Sequence, residues 1–260
     1  DLDDTRHSSR LFAEKLDEKG LLIINRDIKN YEEISGGLPC RVVTFGHSSE
    51  SDYSAADITY DTFARPTFNL MEQGKKAGTI TLGVPGEHNV YNALAAVCVA
   101  RRLGLDAEEM KLGIEHAHTI GGRSNLIRKN GITIIDDCYN ANPVSMMASI
   151  DVLSQAKGRK IAVLGDMGEL GSEEKKLHGM VGTHFAGKKI DALFVTGTLA
   201  GEIAEEARRV APETRVYAEP DKEALAQALL DCRRPGDTIL VKASHFMGFS
   251  EIVKKLEQPQ

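Results

Sequence analysis

The sequence predicts an α/β protein in two parts, the second a mainly parallel, doubly wound sheet covered by helices on both faces. Three observations predict this. From residue 131 onward, short apolar runs alternate strictly with helix-patterned stretches. Those runs are almost continuously apolar, as strands buried on both faces must be. The polar side chains collect just after them, at the carboxyl ends where open parallel sheets bind ligands.

Taken in order, residues 8–19 place Leu11, Phe12 and Leu16 at helical spacing, with Gly20 as a stop signal. "LLIIN" (21–25) and "RVVTFG" (41–46) read as buried strands, with a helical turn at "YEEI" between them. Residues 57–84 hold three strand-like runs, with "QGKKAG" as the turn between the last two, which predicts an antiparallel meander. The Ala- and Val-rich stretch 89–103 fits a buried helix, and 106–117 a second one capped by Asp106. "HTIGGRSN" (118–125) carries two adjacent glycines and is the hinge candidate, which puts the domains at 1–120 and 121–260. Beyond it, strands are expected at 131–136, 160–164, 191–196, 214–217 and 238–242. Helices are expected at 143–156, 172–187, 199–210, 221–231 and 248–257.

With 260 residues, 42% of them hydrophobic and 27% charged, the chain can bury proper cores. Its net charge of −6 argues against a nucleic-acid surface. Cys40, Cys98, Cys138 and Cys232 show no metal or CxxC spacing and read as reduced thiols, which suits a cytoplasmic protein. No apolar run approaches the ~20 residues that span a bilayer, so no membrane association is expected. The acidic start "DLDDTRHSSR" is no signal peptide and reads like the middle of a protein, so an upstream piece is expected.

Three constellations carry candidate chemistry. In "GDMGELG" (165–171), glycines after a strand let backbone N–H groups approach an anion, while Asp166 and Glu169 suit an ammonium or a metal. The plainer alternative is a tight turn that uses glycine for its backbone. In "PGEHNVYNALAA" (85–96), Asn89 and Asn92 share a helix face and can read a base edge, unless Asn89 merely caps the helix. In "KASHFMGF" (242–249), Lys242 can bind a carboxylate or phosphate while Ser244 and His245 position a substrate. Alternatively Lys242 snorkels at the sheet edge and Phe246 packs. The histidines at 7, 47, 88, 116, 118, 178 and 184 show no ligand spacing, and surface positions are expected for most. No metal-binding residues are assigned. The phosphate loop GxxxxGK[ST] does not occur in these 260 residues.

In order and spacing, "IIDDCYNANPVSM", "IAVLGDMGELG" and "LVKASHFMGF" resemble the C-terminal domain of the Mur ligases, over roughly residues 121–260. They are most similar to the branch that adds D-alanyl-D-alanine to UDP-N-acetylmuramoyl-tripeptide. "GEHNVYNALAA" resembles the adenine-contacting helix of the family's central domain. "GLLIINRDIKNYEEI" and "CRVVTFG" are more similar to the second part of that domain in the L-alanine-adding branch. The resemblance implies a partial central (ATPase) domain lacking its phosphate loop, followed by a Rossmann-like C-terminal domain. The chain thus reads as a truncated family member, with a chimeric assembly left open.

What the resemblance implies is ATP- and Mg2+-dependent amide ligation in peptidoglycan precursor synthesis, through an acyl phosphate that an amine attacks. Asn89 and Asn92 would meet adenine, and Arg123 and Asp137 the ribose or phosphates. Tyr139 stands where some members have lysine, so a γ-phosphate role there is not carried over. Tyr139, Asn140, Asn142, Asp166, Glu169, Lys242, Ser244 and His245 are candidates for the substrate side. Two alternatives stay open: a non-catalytic binding fragment that assembles with another chain, and an L-alanine-adding ligase. Without a phosphate loop the isolated chain is expected not to turn over, and an exposed central-domain sheet edge invites dimerisation or strand exchange.

Overall fold

The computed structural model describes residues 2–61, 64–117 and 121–259. It divides into two compact units. Unit 1 takes 1–61, 65–83 and 87–117, and unit 2 takes 62–64, 84–86 and 118–260.

Within the described residues, unit 1 holds a five-stranded sheet in the order β1-β2-β3-β4-β5. Its strands are β1 (Leu21–Asn25), β2 (Arg41–Gly46), β3 (Tyr53–Tyr60), β4 (Pro66–Glu72) and β5 (Lys75–Thr81). The first three are parallel, with Leu21 opposite Arg41 and Phe45 opposite Tyr53; the last three form the expected antiparallel meander. The turn falls earlier than "QGKKAG" suggests. Gln73 and Gly74, both left-handed (φ 51° and 73°), make a two-residue hairpin, and Lys75–Gly78 already belong to β5. The expected first run of the meander reaches Thr62 and Phe63, which lie outside the described residues.

The unit's helices are α1 (Leu2–Ala13), α2 (Tyr31–Ser35), α3 (His88–Arg102) and α4 (Ala107–Glu115). The first corrects the 8–19 expectation. A turn closed by Asp17, whose carboxylate accepts the Lys19 N–H at 2.9 Å, replaces the helix beyond residue 13. Ala13 faces the core, while Leu11 and Phe12 are exposed. Asp106 caps α4 as expected, in a reciprocal capping box with Glu109.

In unit 2, a six-stranded sheet runs β10-β9-β8-β11-β7-β6. It comprises β6 (Asn125–Lys129), β7 (Ile132–Asp136), β8 (Lys160–Leu164), β9 (Ala192–Val195), β10 (Arg215–Ala218) and β11 (Thr238–Lys242). All pairs are parallel except β6–β7. Strand β6 was not expected. Its signal is Asn130–Gly131, with φ of 53° and 75°, which joins it to β7 by a two-residue hairpin. Helices α5 (Pro143–Gln155), α6 (Glu174–Thr183), α7 (Ala200–Val210), α8 (Lys222–Cys232) and α9 (Ser250–Glu257) complete the alternation. Asn142 caps α5 with Pro143 in the first turn, and the Asp221 carboxylate caps α8.

Apolar side chains cover both faces of this sheet. Met146, Ile150, Leu153, Leu193 and Ile203 pack in one cluster, and Ile134, Ile161, Phe194, Leu229 and Phe249 in another. Helices α6 and α7 approach closely at Gly182, where an added Cβ would lie 2.4 Å from the Ile203 carbonyl oxygen. Gly182→Ala must therefore push the helices apart, at a cost of about 1–3 kcal/mol. Urea denaturation of the two proteins measures it.

Candidate functional site

Because β8, β11 and β7 are neighbours, the polar segments that follow them meet at the carboxyl edge of unit 2's sheet. The backbone ladder continues into these loops. Asp137 N–H donates to the Val241 carbonyl, Gly165 N–H to Lys242 and Ser244 N–H to Asp166, each at 3.0 Å.

Side chains then lock the loops together. Lys242 is 2% exposed on a central strand, and its ammonium donates to Asp137 Oδ2 at 2.6 Å and to the Asn140 carbonyl at 3.1 Å. This corrects the snorkelling alternative: a cation in the middle of the sheet has no route to water and is held by a buried carboxylate instead. Asp137 also accepts Ser149 Oγ at 2.6 Å and the Ser124 N–H at 2.8 Å. Ser124 has a left-handed backbone (φ 49°), and that bond is what holds it there. Asp136 accepts the Gly122 N–H at 3.1 Å, and the Gly122 carbonyl accepts Tyr139 N–H at 2.8 Å. Gly122 is thus fastened to unit 2's sheet rather than free to swivel. His118, Thr119 and Ile120 of the expected hinge lie outside the described residues.

Asp166 and Ser244 face inward. The Asp166 carboxylate accepts backbone N–H groups of Thr198, Leu199 and Ala200 at 2.7–3.0 Å, at the N-terminus of α7. Those bonds withdraw Asp166 from the substrate-facing set. Ser244 Oγ accepts Gly168 N–H at 2.9 Å and donates to the Ala141 carbonyl at 3.3 Å, joining three loops. Asn142 is exposed but its side-chain oxygen accepts the Ser145 N–H at 2.8 Å as the α5 cap. Asn140 is exposed, and its side-chain oxygen accepts its neighbour's N–H.

Above this locked layer stands an exposed group. The Arg123 guanidinium lies 4.1 Å from the Tyr139 ring centroid, and that ring lies 5.9 Å from His245. Glu169 is exposed on the neighbouring loop in a left-handed conformation (φ 61°). Phe246, which the plainer alternative would pack away, is 68% exposed. A guanidinium, a phenol and an imidazole side by side suit an anionic group with hydrogen-bonding neighbours.

Three residues escaped the sequence reading. Ser124 and Ser149 are two. The third is His178, one of a set of histidines expected mostly at the surface, and it is fully buried. One ring nitrogen accepts Met167 N–H at 2.9 Å and the other faces the Glu174 carbonyl at 2.7 Å, which fixes the "GDMGELG" loop. The available signal was its place three residues before Val181 and seven before Phe185, both buried.

Unit 1 carries Asn89 and Asn92. Neither caps α3: Glu87 is at the N-cap and makes no side-chain cap bond. The Asn92 amide donates to the Asn89 side-chain oxygen at 2.9 Å, so the two amides act as a unit on one helix face. Nearby, Asp27 accepts the N–H groups of His47 and Ser48 and the Tyr91 hydroxyl, and burial followed by that Asp27 bond pushes the Tyr91 phenol up to about 12. Among the described residues, no group of three or more His, Cys, Asp or Glu side chains is placed to hold a metal. No helix among them is long and apolar enough to cross a membrane.

A doubly covered parallel sheet with its polar loops gathered at the carboxyl edge makes unit 2 a Rossmann-like domain. The Mur ligase middle domain matches residues 3–100, and the glutamate ligase domain of Mur ligases matches residues 122–245. The chain belongs to the Mur ligase family.

Both branches to which the sequence points occur among its relatives. The UDP-N-acetylmuramoyl-tripeptide–D-alanyl-D-alanine ligase of Bacillus subtilis is 34% identical over 245 residues, covering 93% of this chain and 52% of its own length. The UDP-N-acetylmuramate–L-alanine ligase of Lachnospira eligens is 47% identical over 155 residues, covering 58% of this chain and 33% of its own. The crystal structure of MurF from Acinetobacter baumannii superposes with a TM-score of 0.81 at 28% identity, over 98% of this chain and 55% of that one. The chain therefore spans about half the length, or less, of the curated relatives it matches.

Two outcomes test the site. Lys242→Met leaves the Asp137 charge buried and is expected to cost about 3–5 kcal/mol in urea denaturation, most of it recovered when Asp137→Leu is added. Burial and the Asp136 bond push the Cys138 thiol up to about 12, and burial does the same to Cys98. Both should resist a disulfide reagent at pH 8 in the native protein, while the partly exposed Cys232 reacts first.

Proposed function

We propose that the chain is the nucleotide- and amine-handling part of an ATP-dependent ligase that adds D-alanyl-D-alanine to UDP-N-acetylmuramoyl-tripeptide in peptidoglycan precursor synthesis. One observation carries this reading: similarity to D-alanyl-D-alanine ligases runs over nine-tenths of the chain, through both units. In the proposed reaction a carboxylate of the UDP-sugar peptide becomes an acyl phosphate, and the incoming amine displaces phosphate from it. Positioning of the two reactants supplies much of such a rate.

The proposed domains are 1–120 and 121–260, and the proposed location is the cytoplasm. The paired amides of Asn89 and Asn92 offer a donor and an acceptor to a base edge and are assigned to adenine. Arg123 is assigned to the ribose or phosphates. Tyr139, Asn140, Asn142, Glu169 and His245 are assigned to the substrate side, over the frame that Asp137, Lys242 and Ser244 hold. The family resemblance implies magnesium, but the described residues offer no cluster of ligands for it, so no step is assigned through the ion. The outer edge of β1 has no strand partner among the described residues, and pairing there with a second chain is part of the proposal.

A second reading, L-alanine addition, is favoured by the 47% identity to an L-alanine ligase. A phosphate-release assay with UDP-sugar substrate, ATP and magnesium separates the possibilities. The 260-residue chain alone should release no phosphate, since GxxxxGK[ST] does not occur in it. Supplied with a family fragment bearing that loop, it should respond to D-alanyl-D-alanine. A response to L-alanine instead would favour the second reading. Nucleotide binding with neither response would make the chain a non-catalytic module, and turnover by the chain alone would refute the assignment of the phosphate chemistry to residues outside it.

A further inference from the structure

Unit 1 contains a cavity of about 130 Å³ that none of the roles above uses. It lies between the sheet and the C-terminal half of α3, which packs on β1, β2 and β3. Leu21, Val43 and Cys98 give it an apolar lining. Leu21 is opposite Arg41 in the β1–β2 register and Val43 is two residues further on, so all three project from one sheet face. Arg41, Arg101 and Arg102 bring three guanidiniums to the same space.

The charges there do not cancel. Arg101 pairs with Glu72 at 2.7 Å, but its buried Nε has no hydrogen-bond partner among the described residues. Among the described residues, Arg41 and Arg102 make no side-chain hydrogen bond or ion pair. Asp52 feels the Arg41 charge, yet its oxygens are taken by Thr44 and Gln73. The remaining ionisable lining groups stay neutral. Burial, then Glu72, pushes the Tyr53 phenol up to about 12, and burial does the same to the Cys98 thiol. Tyr53 donates to Glu72 at 3.2 Å, which leaves that carboxylate shared between Tyr53 and Arg101.

We infer that this cavity is a binding site for a small phosphate-bearing molecule. Two unpaired guanidiniums and a third with a spare N–H match a dianion with several acceptor oxygens. The apolar wall takes a short carbon substituent on the phosphate. The volume is about ten times the ~10–15 Å³ that one water requires on the same kind of measure, enough for a phosphate monoester but not for a nucleotide. The site is independent of the ligase reading and would bind its ligand whether or not that reading holds.

The test titrates inorganic phosphate, then methyl phosphate, into the whole 260-residue chain, followed by amide NMR at constant ionic strength. Saturable shifts are expected at Arg41, Cys98 and Arg102, with methyl phosphate at least equal to phosphate. The double variant R41Q/R102Q removes two exposed side chains without touching the core, and should bind roughly tenfold more weakly or worse. Arg208→Gln, at an exposed position of α7 in unit 2, should bind as the parent does. Linear shifts without saturation would overturn the site. So would equal loss in Arg208→Gln, or equal competition by acetate, which would mark a general carboxylate or salt effect.

Discussion

The carboxyl edge of the second unit depends on one constraint: a carboxylate taken out of water must be met by donors. Asp136, Asp137 and Asp166 are all buried there. Each meets the constraint by binding backbone N–H groups of a segment distant in sequence. Asp136 and Asp137 hold the Gly122–Ser124 segment, and Asp166 holds the start of α7. Lys242 adds a buried cation there, from the centre of the sheet. The acidic and amide-rich run at the end of β7 is therefore divided: Asp136, Asp137 and Cys138 are buried, the two carboxylates as fasteners, while Tyr139, Asn140 and Asn142 are exposed.

That division explains how the edge can be both rigid and reactive. Asp137, Lys242 and Ser149 satisfy one another, Ser244 is taken up by Gly168 and Ala141, and the four have little left for a ligand. What reaches solvent is the row built on them: Arg123, Tyr139, His245 and Glu169. Arg123 follows Gly122, whose carbonyl binds the Tyr139 N–H, so the guanidinium and the ring it covers are set by the same backbone contact. A site whose outer groups rest on inner groups with fixed partners loses little freedom on binding.

Much of this fold was legible in the sequence. The parallel strands were, because double burial leaves an apolar run that polar loops interrupt. Strand β6 was not, because an edge strand reading Asn-Leu-Ile-Arg-Lys lacks such a run and sits beside two glycines that draw attention as a hinge. The Asn-Gly turn that announces it lies just beyond. For α1, the apolar residues at 11, 12 and 16 pointed to the wrong face, since Asp17 closes a local turn that a periodicity argument does not weigh. At the candidate site, residue type picked out the loops that gather at the carboxyl edge but could not say which side chains point inward. Asp166 and Lys242 both looked like ligand-facing groups, with an edge position as the alternative for Lys242. Both assignments turn on neighbours that lie many residues away: Thr198–Ala200 for one, and Asp137 for the other.

Native-state amide hydrogen exchange on the second unit tests the central claim most directly. If the buried aspartates fasten the edge, the N–H groups of Gly122, Ser124 and Ala200 should be protected nearly as well as those of β8, and should open with the sheet. Free exchange at these three amides while β8 remains closed would contradict it.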